Sequence, residues 1–92
     1  MKFIGFQYIE KFREKKPQEC KAFVIRRGFD GTATVEIPQA KSVTRRILFV
    51  KGKPIASDSP HPVTFSRKND FTIVTFDNDE RYEIPDALVS GG

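Results

Sequence analysis

The chain has 92 residues, 38% of them hydrophobic and 12% aromatic, which is enough for one packed core and too few for two. No apolar run approaches the ~18 residues that cross a membrane, the opening MKFIGFQYIEKF lacks the apolar stretch and cleavage site of a secretory leader, and the lone Cys20 excludes an internal disulfide. The net charge of +4 is basic, and the expectation is a cytoplasmic single-domain protein over residues 1–92 with an acidic or polyanionic partner.

The first element is a strand from Lys2 to about Ile9, with Ile4, Phe6, Tyr8 and Phe12 on one face and Gly5, Gln7, Lys11 and Arg13 on the other. Residues 10–16 are open between more strand and a short N-terminal helix, because their composition suits a helix that Pro17 would stop. A hairpin follows: Lys21–Arg27, a Gly-x-x-Gly link at Gly28–Gly31, then Thr32–Ile37, where Ala33, Val35 and Ile37 alternate with Thr32, Thr34 and Glu36. A second hairpin runs Ile47–Val50, Lys51-Gly52-Lys53, Pro54–Ala56. Ser57–Pro62 reads as a loop and Val63–Ser66 as a short strand. A third hairpin runs Phe71–Phe76, Asp77–Glu80, Arg81–Ile84. The fold class is therefore mainly β: antiparallel hairpins in one small sheet, barrel or sandwich, with a core built largely from the nine Phe rings.

Two stretches echo each other, VEIPQA at 35–40 and YEIPDA at 82–87. Aligned with what precedes them, they share F-x-I-x-x-F-D-x-x-x-x-[VY]-E-I-P-x-A, with one gap at Gly28. Proline after Ile ends a strand, since it cannot donate to the ladder. The repeated positions read as core residues and stops, whether by duplication or by convergence on a good strand end.

No catalytic constellation emerges. His61 is the sole histidine and lies between two prolines, a poor place to hold an imidazole against a nucleophile and an orienting group. Cys20 reads as a half-buried small hydrophobe. Asp77, Asp79 and Glu80 lack the spacing of a calcium loop and read as a solvated hairpin tip. The expectation is a non-enzymatic protein with no metal, cofactor or small-molecule substrate, and no membrane partner.

Charge is the stronger lead, because it is uneven. Residues 1–53 hold 13 Lys/Arg and 5 Asp/Glu, whereas residues 54–92 hold 3 and 7. Either the halves neutralise each other across the fold, or a basic face remains for a polyanion. The candidate phosphate-binding residues are Arg26, Arg27, Arg45, Arg46, Lys51 and Lys53. Arginine binds phosphate through a planar fork and lysine as a point charge. Neighbours in a strand point to opposite faces, so one member of each dibasic step serves a given surface.

In its whole profile, a short single-domain chain with no catalytic set and an uneven charge pattern, the sequence resembles the small phage-encoded inhibitors of host defence, the anti-CRISPR proteins. The resemblance implies a stoichiometric inhibitor that docks on a host protein–RNA complex and blocks target nucleic-acid binding. The basic half departs from the acidic DNA mimics of that group and favours contact with guide RNA through Arg45, Arg46, Lys51 and Lys53. The other readings are a β module gripping free nucleic acid by its phosphates, and a small phage structural or assembly protein that self-associates.

Overall fold

Alternation of apolar and polar residues carries most of the chain into strands. The computed structural model describes residues 2–13, 16–27, 30–39, 43–76 and 80–90. Its elements are β1 (Lys2–Arg13), β2 (Lys16–Arg27), β3 (Thr32–Pro38), β4 (Thr44–Val50), β5 (Lys53–Ser57), β6 (Thr64–Lys68), β7 (Phe71–Thr75), β8 (Arg81–Pro85) and α1 (Asp86–Ser90). They form one antiparallel sheet in the order β5-β4-β3-β2-β1-β8-β7-β6. Consecutive strands pair, except that β5 and β6 do not; β8 instead returns to β1 through Glu10↔Glu83, Lys11↔Tyr82 and Phe12↔Arg81. The sheet thus rolls into a nearly closed barrel with a seam between β5 and β6.

The barrel interior is lined by Ile9, Ala22, Val24, Ala33, Val35, Ile37, Ile47, Phe49, Val74, Phe76, Tyr82 and Ile84, and Leu88 of α1 joins them. The sequence expectation of a phenylalanine core is corrected here. Among the described phenylalanine side chains only Phe49 and Phe76 are buried, and the core is mostly aliphatic. The reason is that the inward positions of β1 and β2 are mostly small or aliphatic, Gly5, Ile9, Cys20, Ala22 and Val24, with Gln7 opposite Ala22 the polar exception in this stretch. Phe6↔Phe23 and Tyr8↔Lys21 then point outward.

The choice left open between strand and helix falls to strand in residues 10–13: β1 runs to Arg13. Residues 10–12 are held on both sides, by β2 and by β8, and two ladders outweigh a local helix preference. Pro17 does not stop an element but lies inside β2 opposite Phe12. It is tolerated there because β3 pairs only with Phe23–Arg27.

All three expected hairpins form. The echoed strands end at Pro38 and Pro85 as expected, with Val35, Ile37, Tyr82 and Ile84 buried. The aligned Phe23 and Phe71 are not core residues, however, and the pairings differ: Glu36 faces Phe23, whereas Glu83 faces Ile73. Relative to the shared pattern the two hairpins pair two residues out of register, which favours convergence on a common strand end.

Candidate functional site

The barrel has two chemically different ends. At one lie the C-terminus of β2, the β2–β3 and β4–β5 turns, the C-terminus of β6 and helix α1. At the other lie the N-terminus of β4, the C-terminus of β5 and the start of β8. The six candidate residues divide between them: Arg26, Arg27, Lys51 and Lys53 lie at the first end, Arg45 and Arg46 at the second.

At the first end the local geometry is fixed by a two-residue turn. Lys51 and Gly52 both have positive φ, 51° and 82°, between the paired Val50 and Lys53. That is a type I′ hairpin, whose twist matches the flanking strands. The Lys51 N–H donates to Gly31 O at 2.8 Å, tying this turn to the one between β2 and β3. Arg26 is opposite Ala33 and faces the interior, while Arg27 faces outward and donates from Nη1 to Thr34 Oγ1 at 3.0 Å. Helix α1 closes this end. Its Asp86 accepts two bonds from Arg67, at 2.6 and 2.5 Å, and Arg67 also donates to buried Thr72 Oγ1 at 2.6 Å. The Arg67 guanidinium holds the Asp86 carboxyl below its ordinary value.

Two adjoining cavities open around α1. One, of about 460 Å³, is lined by Lys51, Gly52, Lys53, Phe65, Arg67, Asp86, Val89 and Ser90. The other, of about 330 Å³, shares Lys51, Gly52, Val89 and Ser90 and is walled by Arg26, Arg27 and Thr32. Arg67 is neutralised by Asp86, but among the described residues neither Lys51 nor Lys53 has an ion-pair partner. Asp30 lies at the same end and is occupied by Thr32, which donates to it through both N–H and hydroxyl.

The second end is neutral by construction. Arg45 Nε and Nη2 donate to Glu80 at 2.7 and 3.1 Å, and Nη1 donates to Asp58 at 3.1 Å. Arg46 pairs with Glu36 at 3.3 Å and with Asp58 at 3.8 Å. The Tyr82 hydroxyl donates to Glu80 at 2.7 Å and accepts from Gln39 at 3.1 Å, and Lys11 donates to Gln39. Burial, then the bond to Glu80, pushes the Tyr82 phenol well above its ordinary value. These groups form a structural polar plug. Asp77 and Asp79, read from sequence as a solvated hairpin tip, lie outside the described residues, and Glu80 belongs to the plug.

No protein-family model, curated protein or solved structure matches the chain.

Sequence reasoning missed a second feature: the outer face of β1 and β2. Phe6 and Tyr8 are 59% and 54% exposed, and half-buried Phe23 lies across from Phe6 with ring centroids 6.2 Å apart. The Lys21 ammonium sits among the three rings, 4.7 Å from Phe6, 5.9 Å from Tyr8 and 5.8 Å from Phe23. The signal was present in the sequence. Lys21 alternates with Phe23 and Ile25 against the small apolar Ala22 and Val24, and a lysine in an aromatic row marks the solvent side.

Proposed function

We propose that this protein is a non-enzymatic binding module that grips the phosphates of a nucleic acid, free or within a host nucleoprotein, at the α1 end of its barrel. One observation carries the reading: Arg26, Arg27, Lys51 and Lys53, drawn from two strands and a turn, converge around two adjoining cavities where both lysines lack an ion-pair partner among the described residues. Basic groups from separate elements arranged around a concave surface are the footprint of polyanion binding. The opposite end has equally basic sequence but carries no such capacity, since Arg45 and Arg46 are committed to Glu80, Asp58 and Glu36.

The test is fluorescence anisotropy of short RNA and DNA across a salt series. Wild-type binding should weaken linearly on a log–log plot. Lys51→Asn/Lys53→Gln should lower the slope by about 1–2, because each phosphate contact releases roughly one counterion. Asparagine at position 51 accepts the left-handed backbone, so this variant keeps its fold. Arg46→Gln at the far end should leave the slope unchanged. Flat traces for the wild type at low salt would sink the reading.

A second reading is the phage-encoded inhibitor of the anti-CRISPR type, docking on a host protein–RNA complex and blocking its target site. It is favoured by the mixed rim of the outer aromatic face, where Glu10 pairs with Glu19 and Phe23 with Glu36, a pattern that suits a protein partner. Here the chain should co-elute with a guide-loaded effector complex and leave free RNA unbound. Tight binding to free RNA with no preference for the assembled complex would remove it.

A further inference from the structure

The exposed rings of β1 and β2 call for an occupant, since Phe6 and Tyr8 are among the most exposed large hydrophobic residues described. We infer that this face is a stacking platform for the unpaired bases of a single-stranded nucleic acid, whose backbone continues to the basic α1 end. The inference rests on the phosphate-binding reading above and specifies its substrate as single-stranded.

Three observations carry it. First, the rings are displayed at strand spacing. Phe6 and Tyr8 alternate along β1, so they stand about 7 Å apart with Phe23 beside them on β2. Flat aromatic faces at that spacing accept successive splayed bases of any identity. Second, a cation is built into the platform. Lys21 Nζ lies within 6 Å of all three ring centroids, so a phosphate beside the stacked bases meets an ammonium group already positioned there. Third, the platform has electrostatic polarity. Beyond the Tyr8–Lys21 row comes Glu10–Glu19, which repels phosphate. In the other direction the outer face runs through Ile25 to Arg27, beside the Lys51 turn. Glu36, the remaining acid facing Phe23, is engaged by Arg46 at 3.3 Å. A strand laid on the rings therefore leaves them toward Arg27 and the basic end. From the Tyr8 row to the Arg27 row is about 20 Å of strand, room for roughly four nucleotides. A duplex cannot use this surface, because its bases are already stacked.

The experiment compares a 12-nucleotide single strand with the duplex of the same sequence, by anisotropy over a salt series. The proteins are wild type, Phe6→Leu/Tyr8→Leu and Lys51→Asn/Lys53→Gln. Single strand should bind at least tenfold more tightly than duplex. The aromatic variant should lose about ten- to a hundredfold on single strand with its salt slope unchanged, whereas the lysine variant loses slope. Tyrosine emission gives an independent readout: the chain has two tyrosines and no tryptophan, and Tyr82 is buried. Single strand should quench Tyr8, and Tyr8→Leu should abolish the quenching. If the aromatic variant binds single strand like the wild type while the lysine variant is weakened, the platform is overturned and the phosphate-binding reading stands. If the wild type binds neither nucleic acid, both fall, and the rings are left as a face for a protein.

Discussion

Glu80 shows how one residue decides whether a charge is available or spent. Its carboxylate takes a guanidinium fork from Arg45 and a hydroxyl from the interior Tyr82, so three side chains share one charge balance. Removing the hydroxyl with Tyr82→Phe leaves Glu80 and Gln39 each short of a partner. The expected loss in urea unfolding is about 1–2 kcal/mol. Arg45→Met is more severe, about 2–3 kcal/mol, because Glu80 and Asp58 both lose a charged donor. The double variant should lose less than the sum, since both changes act on Glu80; strict additivity would show that they are independent. The same residue explains a limit of sequence reading. Arg45 and Lys51 look alike as basic residues near the ends of one strand. Only the fold brings Glu80, 35 positions away, against one of them. Residue type made the candidates legible, and long-range pairing decided which remained available. The exposed rings follow the same logic. Phe6 and Phe49 are chemically identical, and the inward side of each strand separates a surface ring from a core ring.

At the scale of elements, the β4–β5 turn and α1 shape the basic end, and each makes a prediction. Gly52 has φ of 82° with nothing within 4 Å of where a Cβ would stand. The cost of Gly52→Ala is therefore purely conformational, about 1–2 kcal/mol, and Gly52→Asn should recover most of it in a thermal melt. Equal melting of the alanine and glycine forms would contradict the turn assignment. Helix α1 is too short to hold itself and is docked by Leu88 and the Arg67–Asp86 pair. Arg67 lowers the Asp86 carboxyl in the folded state. For Asp58, burial pushes upward, but the Arg46 N–H and the Arg45 guanidinium outweigh it. A carboxyl lowered on folding adds stability above its unfolded value, and that stability is lost as pH falls through the lower, folded value. The melting temperature should thus hold from neutral pH to about pH 5 and fall from there toward pH 2–3. Asp86→Asn should flatten part of that fall, leaving the share due to Asp58 and to Asp30, whose carboxyl the Thr32 hydroxyl and N–H hold down; an unchanged acid profile would exclude Asp86 as a contributor.

For the whole molecule, the hairpins were legible because each joins neighbours in sequence through a turn with recognisable chemistry. The closure was not. The β8–β1 ladder joins Glu10 to Glu83 across most of the chain, and no local pattern encodes that pairing. Closing there leaves a seam on the far side, and its two edges are unequal. β5 is blunted by Pro54, which has no N–H, and by an irregular register beside it. β6 has neither device: its five residues are exposed and pair only with β7. Alternate β6 backbone groups therefore face the seam without a strand partner. Native-state hydrogen exchange should find β6 the least protected strand, with the segments paired on both sides, Phe23–Arg27 of β2 and Thr32–Glu36 of β3, the most protected. Protection of β6 equal to that of β3 would mean that something covers the edge in solution. Repeating the measurement at tenfold dilution identifies the cover. Protection that disappears on dilution comes from a second copy pairing edge to edge, as the self-associating reading of the sequence requires. Protection that persists means that β5 and β6 close the barrel within one chain.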